Sequence, residues 1–244
     1  MERFFKVFAS SGNWDDAMRA IDIVYEESMV ECIKDTKLME MLTTLRLRVQ
    51  GFLEFYRHRI QRWNIVAVEQ EFRLTLHEDV TYPFKPDLII SEGGQAKLID
   101  WKFTYDFYDP DVVNLLPQIP KYVGALQAMG YSVSGGYYAF IRYRSLKEET
   151  PDRVYNLHPV ALNKQRIMSA FSDYVSYIES VSTMRALPLQ EWSDRARRIS
   201  NNMICKSCGY KFLCQAELNG SDGIMIRRQD FVPNTYGYAE EPDA

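Results

Sequence analysis

Residues 84–103 read FKPDLIISEGGQAKLIDWKF. Two apolar, β-rich runs, 84–91 and 96–103, flank the turn-forming sequence Glu92-Gly93-Gly94-Gln95, which predicts an antiparallel hairpin. Asp87 stands at the start of the first strand, and Asp100 and Lys102 stand two apart on the second. Side chains two apart on a strand leave on the same face, so Asp100 and Lys102 project together and the hairpin brings Asp87 alongside them. Two carboxylates and one ammonium then share a patch. Ile99 and Phe103, on the opposite face, are expected to anchor the strand in the core.

Working outward, residues 65–76 form a third β-rich run, separated from the hairpin by the polar turn at 77–80, and the three runs are expected to form an antiparallel meander. Upstream, apolar residues from Leu38 to Ile60 recur every three or four positions, which predicts one long amphipathic helix. Downstream, Pro117 and Pro120 fit only a helix entrance and Gly130 fits its end, so a helix is expected over 117–129. A strand follows at 135–144, a second is expected near 154–157, and helical spacing returns over 162–181. The order is α-β-β-β-α-β, then a helix and a cysteine-bearing tail.

Composition narrows the function classes. The chain has 244 residues, 46% apolar and 25% charged, an ordinary globular makeup that excludes both disorder and a disulfide-dependent miniprotein. A net charge of −4 argues against a surface coated in positive charge, so any nucleic-acid contact must be local. No apolar run reaches the ~18 residues of a membrane helix and the N-terminus lacks a secretory pattern, so the expected address is the cytoplasm and no membrane partner is expected.

Hard oxygen ligands such as Asp87 and Asp100 suit Mg²⁺, which typically takes one or two carboxylates and completes its shell with water and substrate phosphate. Lys102 beside such an ion is placed to position a water and to stabilise a developing anion, so the chemistry expected is phosphodiester hydrolysis. The plainer reading is an exposed ion pair on a solvated strand, worth at most ~1 kcal/mol. Gln118 and Tyr122 lie on one helical face at i, i+4; read without the acidic pair, they are a neighbour of the helix cap and a half-buried aromatic.

These motifs together resemble the RecB-like branch of the PD-(D/E)XK nucleases, from about Leu38 to Cys214. The resemblance implies a restriction-endonuclease-like α/β fold with a mixed sheet, a C-terminal helix and a cysteine-rich tail. It implies metal binding by Asp87, Asp100 and the carbonyl of Trp101, with Mg²⁺ or Mn²⁺ as the ion and Lys102 as the catalytic lysine. It further implies that Gln118 and Tyr122, matching the Gln-x-x-x-Tyr motif of the branch, flank the site and touch DNA. The branch usually carries a metal-facing histidine on a helix ahead of the first strand. His58, off the apolar stripe, is expected to face solvent instead, and the histidine helix is expected upstream of Met1.

Three of the four cysteines, Cys205, Cys208 and Cys214, crowd into ten residues, which in a reducing compartment reads as metal ligation. Iron–sulfur, zinc and plain thiols are the readings, since thiolates serve both metals. The spacing resembles the iron–sulfur staple of AddB-type and CRISPR-associated RecB-like nucleases, which implies Cys32 as a distant fourth ligand; its other role is that of a small buried hydrophobe. Basic residues from Arg185 to Arg228 outnumber acids around this tail, a phosphate-binding district or a solvated face.

The expected organisation is an N-terminal helical segment (1–37), a nuclease core (38–160), C-terminal helices with the cysteine cluster (161–220) and a polar tail (221–244). The expected function is a Mg²⁺-dependent DNA exonuclease acting on ends or single strands in recombination, repair or phage DNA metabolism, with a helicase or recombinase as a further partner. The rivals are a catalytically inactive DNA-binding or assembly module of the same fold, and a zinc-knuckle interaction protein in which Asp-Trp-Lys is accidental.

Overall fold

A computed structural model describes residues 1–77 and 80–186. Residues Met1–Val181 form one compact unit and Ser182–Ala244 a second, of which only the first few residues are among those described. Three helices open the chain. The first, α1 (Glu2–Ser11), ends where Gly12 turns left-handed at φ 66° and returns its N–H to the Phe8 carbonyl. Asn13 caps α2 (Trp14–Glu31) by accepting from the N–H groups of Asp15 and Asp16, and Asp35 caps α3 (Thr36–Phe55) by accepting from Leu38. The helix expected over 38–60 is therefore interrupted. Tyr56 leaves helical geometry and its hydroxyl accepts from the Leu157 N–H at 3.1 Å, after which α4 (Arg57–Ile60) resumes.

The main sheet has five strands in the order β1-β4-β5-β6-β7: β1 (Asn64–Val68), β4 (Leu88–Glu92), β5 (Gln95–Thr104), β6 (Val133–Arg142) and β7 (Tyr155–Pro159). The β5·β6 pair is parallel and the others antiparallel, which makes the sheet mixed. The expected meander is present as β1-β4-β5, but the runs at 65–76 and 84–91 are each broken. Between β1 and β4 the chain leaves the sheet as a separate hairpin, β2 (Phe72–His77) with β3 (Val80–Phe84). Its exit is Glu69, left-handed at φ 46°, whose N–H donates to the Asp87 carbonyl at 3.0 Å and so ties the root of the excursion shut. Pro86, which cannot donate to a ladder, stands where the chain re-enters.

A crossover carries the chain from β5 to β6 through α5 (Pro110–Leu115), a short helix that the sequence reading lacked, and α6 (Gln118–Ala128). The short α7 (Pro151–Val154) precedes β7, and α8 (Lys164–Arg185) follows it. Alternation along the strands gives two cores. Leu88, Ile90, Ile99, Tyr137, Ala139 and Ile141 face Phe5, Trp14, Phe52 and Leu53 of the first three helices. Ile89, Leu98, Tyr138 and Phe140 face Ile119, Val123 and Leu126 of α6, together with the hairpin and α8. The result is an α/β/α sandwich with the restriction-endonuclease-like order expected from the sequence.

Gly136 shows how closely α6 lies on the sheet. A Cβ there would stand 2.8 Å from the Leu98 carbonyl oxygen and 2.9 Å from Ile119 Cγ2, whereas at Gly135 it would meet nothing. Gly136→Ala is therefore expected to cost about 1–3 kcal/mol by overpacking. Gly135→Ala should change stability far less, and urea unfolding of the two variants checks the contrast.

Candidate active site

Strand β4 begins its pairing with β5 at Leu88 opposite Ile99, so β5 runs on past the end of its neighbour. At this point the side chain of Asp87 takes over the ladder: its Oδ2 accepts from the Trp101 N–H at 2.8 Å. The N–H and C=O of one strand residue leave on the same edge, so the Trp101 carbonyl shares the edge to which Asp87 is bound. The next positions along β5 turn Asp100 and Lys102 toward α6. Lys102 Nζ lies 2.5 Å from Asp100 Oδ2 and donates to Gln118 Oε1 at 2.8 Å, and Gln118 Nε2 reaches the Tyr122 hydroxyl at 3.5 Å. Asp87, through the Trp101 N–H, and Asp100, Lys102, Gln118 and Tyr122, through their side chains, thus lie in one group.

The electrostatics of the group follow from burial. Among the described residues Asp100 is the buried carboxylate, 3% exposed. Loss of hydration pushes its pKa up to about 6; the Lys102 ammonium pulls it down and the Asp87 charge adds to the rise. Burial likewise raises Asp87, against the Trp101 N–H and Lys102, with Glu69 adding repulsion. Tyr122 is raised by its own burial and by both carboxylates. Asp100 Oδ2 faces the Lys102 ammonium, and a carboxylate oxygen has two lone pairs, so the buried carboxylate keeps coordinating capacity beside that contact. Two carboxylates facing one ammonium leave a net negative charge. A hard divalent cation fits this donor set of two carboxylates and a strand carbonyl, because it compensates both the surplus charge and the dehydration.

Three residues that support the group were not singled out from the sequence. Tyr138 pairs with Asp100 across the parallel β5·β6 ladder, and its hydroxyl accepts from the Ile119 N–H at 3.2 Å and donates to the Leu116 carbonyl at 3.3 Å, which fixes the first turn of α6 where Gln118 sits. Phe84 of the hairpin stacks on Tyr122 with ring centroids 5.5 Å apart. Glu69 holds the Asp87 backbone, as above, and its carboxylate meets Lys85 at 2.6 Å. The one legible signal was the aromatic character of Phe84, since a parallel register leaves no mark in local spacing.

One anchoring residue differs from expectation. Ile99 is buried, but Phe103 is 42% exposed, and Trp101 anchors the strand in its place, stacked 5.5 Å from Phe5 and edge-on 5.6 Å from Phe52. The aromatic cluster of α1 and α3 lies over Trp101, and among the described residues it has no equivalent above Phe103. His58 is exposed on α4, as expected. Cys32 is a partly buried free cysteine at the C-terminal end of α2, whereas Cys205, Cys208, Cys214 and the basic residues near them other than Arg185, the last residue of α8, lie outside the described residues. No helix among the described residues is long and apolar enough to cross a membrane.

The sequence matches the family model of the PD-(D/E)XK nuclease superfamily over residues 1–215. A solved structure titled "Crystal structure of SSO0001" is similar with a TM-score of 0.39 and 14% identity, covering 82% of this chain and 80% of that one. No curated protein matches.

Proposed function

The chain belongs to the PD-(D/E)XK nuclease superfamily, and on that premise we propose that it is a Mg²⁺- or Mn²⁺-dependent DNA nuclease, an exonuclease acting on DNA ends or single strands in recombination, repair or phage DNA metabolism. The observation that carries the assignment of residues is the meeting of Asp87, Asp100 and Lys102 at the point where β4 stops and β5 continues. In this reading Asp87, Asp100 and the Trp101 carbonyl hold the divalent cation. When bound, the ion supplies a more acidic water and neutralises charge on the scissile phosphate.

The remaining work falls to the chain. Lys102 directs an N–H toward the attacking water and toward charge developing on the phosphate, and it arrives there pre-positioned because Gln118 already binds its Nζ. Tyr122, braced by Phe84, closes the side of the site formed by α6 and offers its hydroxyl to the DNA backbone. Burial of Asp100 strengthens its interaction with Lys102 by excluding water. The three tail cysteines are assigned to an iron–sulfur cluster on their spacing in the sequence, with Cys32 as a fourth ligand on the resemblance to the staple-bearing nucleases alone. A helicase or recombinase is the partner class that would supply a DNA end.

Incubation of the pure chain with end-labelled single- and double-stranded DNA tests the proposal. Cleavage is expected with Mg²⁺ or Mn²⁺ and is expected to vanish when EDTA is added. Tight DNA binding with no cleavage under any divalent metal would instead favour an inactive binding module of the same fold.

A further inference from the structure

Among the described residues nothing pairs with the edge of β5 that faces away from β6 past Trp101, because β4 pairs no further than Ile99 and Asp87 reaches no further than Trp101. Strand geometry repeats every two residues, so the main chain of Phe103 opens onto the same free edge. Its side chain lies on the face opposite Lys102, exposed, in a cleft of about 440 Å³ walled by Met41, Thr44 and Leu45 of α3 and by Tyr143 just beyond β6. Tyr105 continues this wall, edge-on to Tyr143 with centroids 5.9 Å apart. Arg144 lies over the Tyr105 ring at 4.9 Å, and Arg142 and Arg144 share the single carboxylate of Asp106 at 3.3 and 2.9 Å. Two guanidiniums on one carboxylate leave a positive charge in excess beside an aromatic cleft.

We propose that this cleft is a base-stacking subsite for an unpaired DNA strand, whose backbone crosses the free edge of β5 between Lys102 and Phe103. The inference rests on the active-site reading above and adds to it the place where an unpaired base is held. An aliphatic partner would be served by Met41 and Leu45 alone. The aromatic faces and the surplus guanidinium suit a ligand that is flat and anionic at once, and a nucleotide has both properties. A base inside a duplex is stacked on both sides and cannot enter, so the subsite selects frayed ends or single strands. Lys102 and Phe103 are neighbours on one strand, pointing to opposite faces around a free edge. A phosphate on one side and its adjoining base on the other therefore need no rearrangement of the sheet.

The test uses the full chain in EDTA, where cleavage does not interfere, and a single-stranded oligodeoxynucleotide carrying 2-aminopurine. Phe103→Ala and Tyr143→Ala, both at exposed rings, are each expected to weaken binding about tenfold and to abolish the stacking quench of the probe. Phe103→Tyr should restore both, and binding of a blunt duplex should change by less than about twofold. Wild-type affinity and quenching in both alanine variants, or an equal loss on duplex, would overturn the subsite. The active-site reading fails separately, by continued cleavage when Asp100 is replaced, so the two failures are distinguishable.

Discussion

Asp100→Asn is expected to lower the cleavage rate by about a thousandfold or more and, without metal, to leave the chain more stable than the wild type at neutral pH. The first effect is expected because a metal-binding carboxylate supports several kcal/mol of charge stabilisation in the transition state, and ~4 kcal/mol corresponds to about three orders of magnitude in rate. The second follows from burial. The folded-state pKa of Asp100 is raised from 3.8 to about 6, so below pH ~4 both folded and unfolded chains carry the proton and no penalty exists. As pH rises toward 6 the unfolded chain ionises first, and stability falls by up to about 3 kcal/mol once the folded carboxyl ionises too. Asn has the same shape and no charge, so its advantage should grow from pH 4 to pH 7.

Urea unfolding of both proteins at pH 4.5 and pH 7.5, with and without Mg²⁺, reads this directly. Saturating Mg²⁺ should raise the wild-type midpoint at pH 7.5 and leave that of the variant nearly unmoved, because the ion binds a folded state that has lost a ligand. Undiminished cutting by Asp100→Asn would sink the assignment of the site. A stability difference independent of pH would sink the account of the buried carboxylate.

Phe52→Ala is expected to cost about 3–5 kcal/mol, a large share of the roughly 5–15 kcal/mol by which such a domain is stable. Phe52 is fully buried on α3, and its ring meets Tyr56 at 4.8 Å, Trp101 at 5.6 Å and Tyr155 at 5.9 Å. Removing it leaves a cavity against the strand residue whose N–H binds Asp87, so activity should fall together with stability. Phe52→Leu, which refills most of the volume, should recover a good part of both. A loss below about 1 kcal/mol for the alanine variant would mean that the helical layer does not hold β5 in the way described.

The restriction-endonuclease-like order was legible in the sequence because the helices and strands of its core carry local signals: three-to-four spacing in α3, apolar β-rich runs either side of a Gly-Gly turn in β4 and β5, and prolines and a glycine bounding α6. The interruption at Tyr56 was not, since it accompanies a hydroxyl reaching the Leu157 N–H, 101 residues away. The hairpin excursion was not legible: 84–91 reads as one β run although Pro86 stands inside it, and the left-handed Glu69 that closes the root is an ordinary glutamate in the sequence. Phe103 illustrates the converse error: alternation gave its face correctly and its burial wrongly, because burial depends on which helix lies above a position and where that helix ends.

The sequence by itself determined that Asp100 and Lys102 share a face, that Gln118 and Tyr122 share another, and that a turn sets Asp87 near the acidic strand; each of these is a consequence of repeats two to four residues long. Tertiary structure decided that the two faces meet. It set Asp87 on the Trp101 N–H, laid Gln118 against Lys102 through the parallel register of β5 and β6, and dehydrated Asp100 enough to raise its pKa. The reason is range. Bond geometry fixes where a side chain points within a few residues, whereas hydration and the distance between charges are fixed only when segments far apart in the chain exclude water from the same volume.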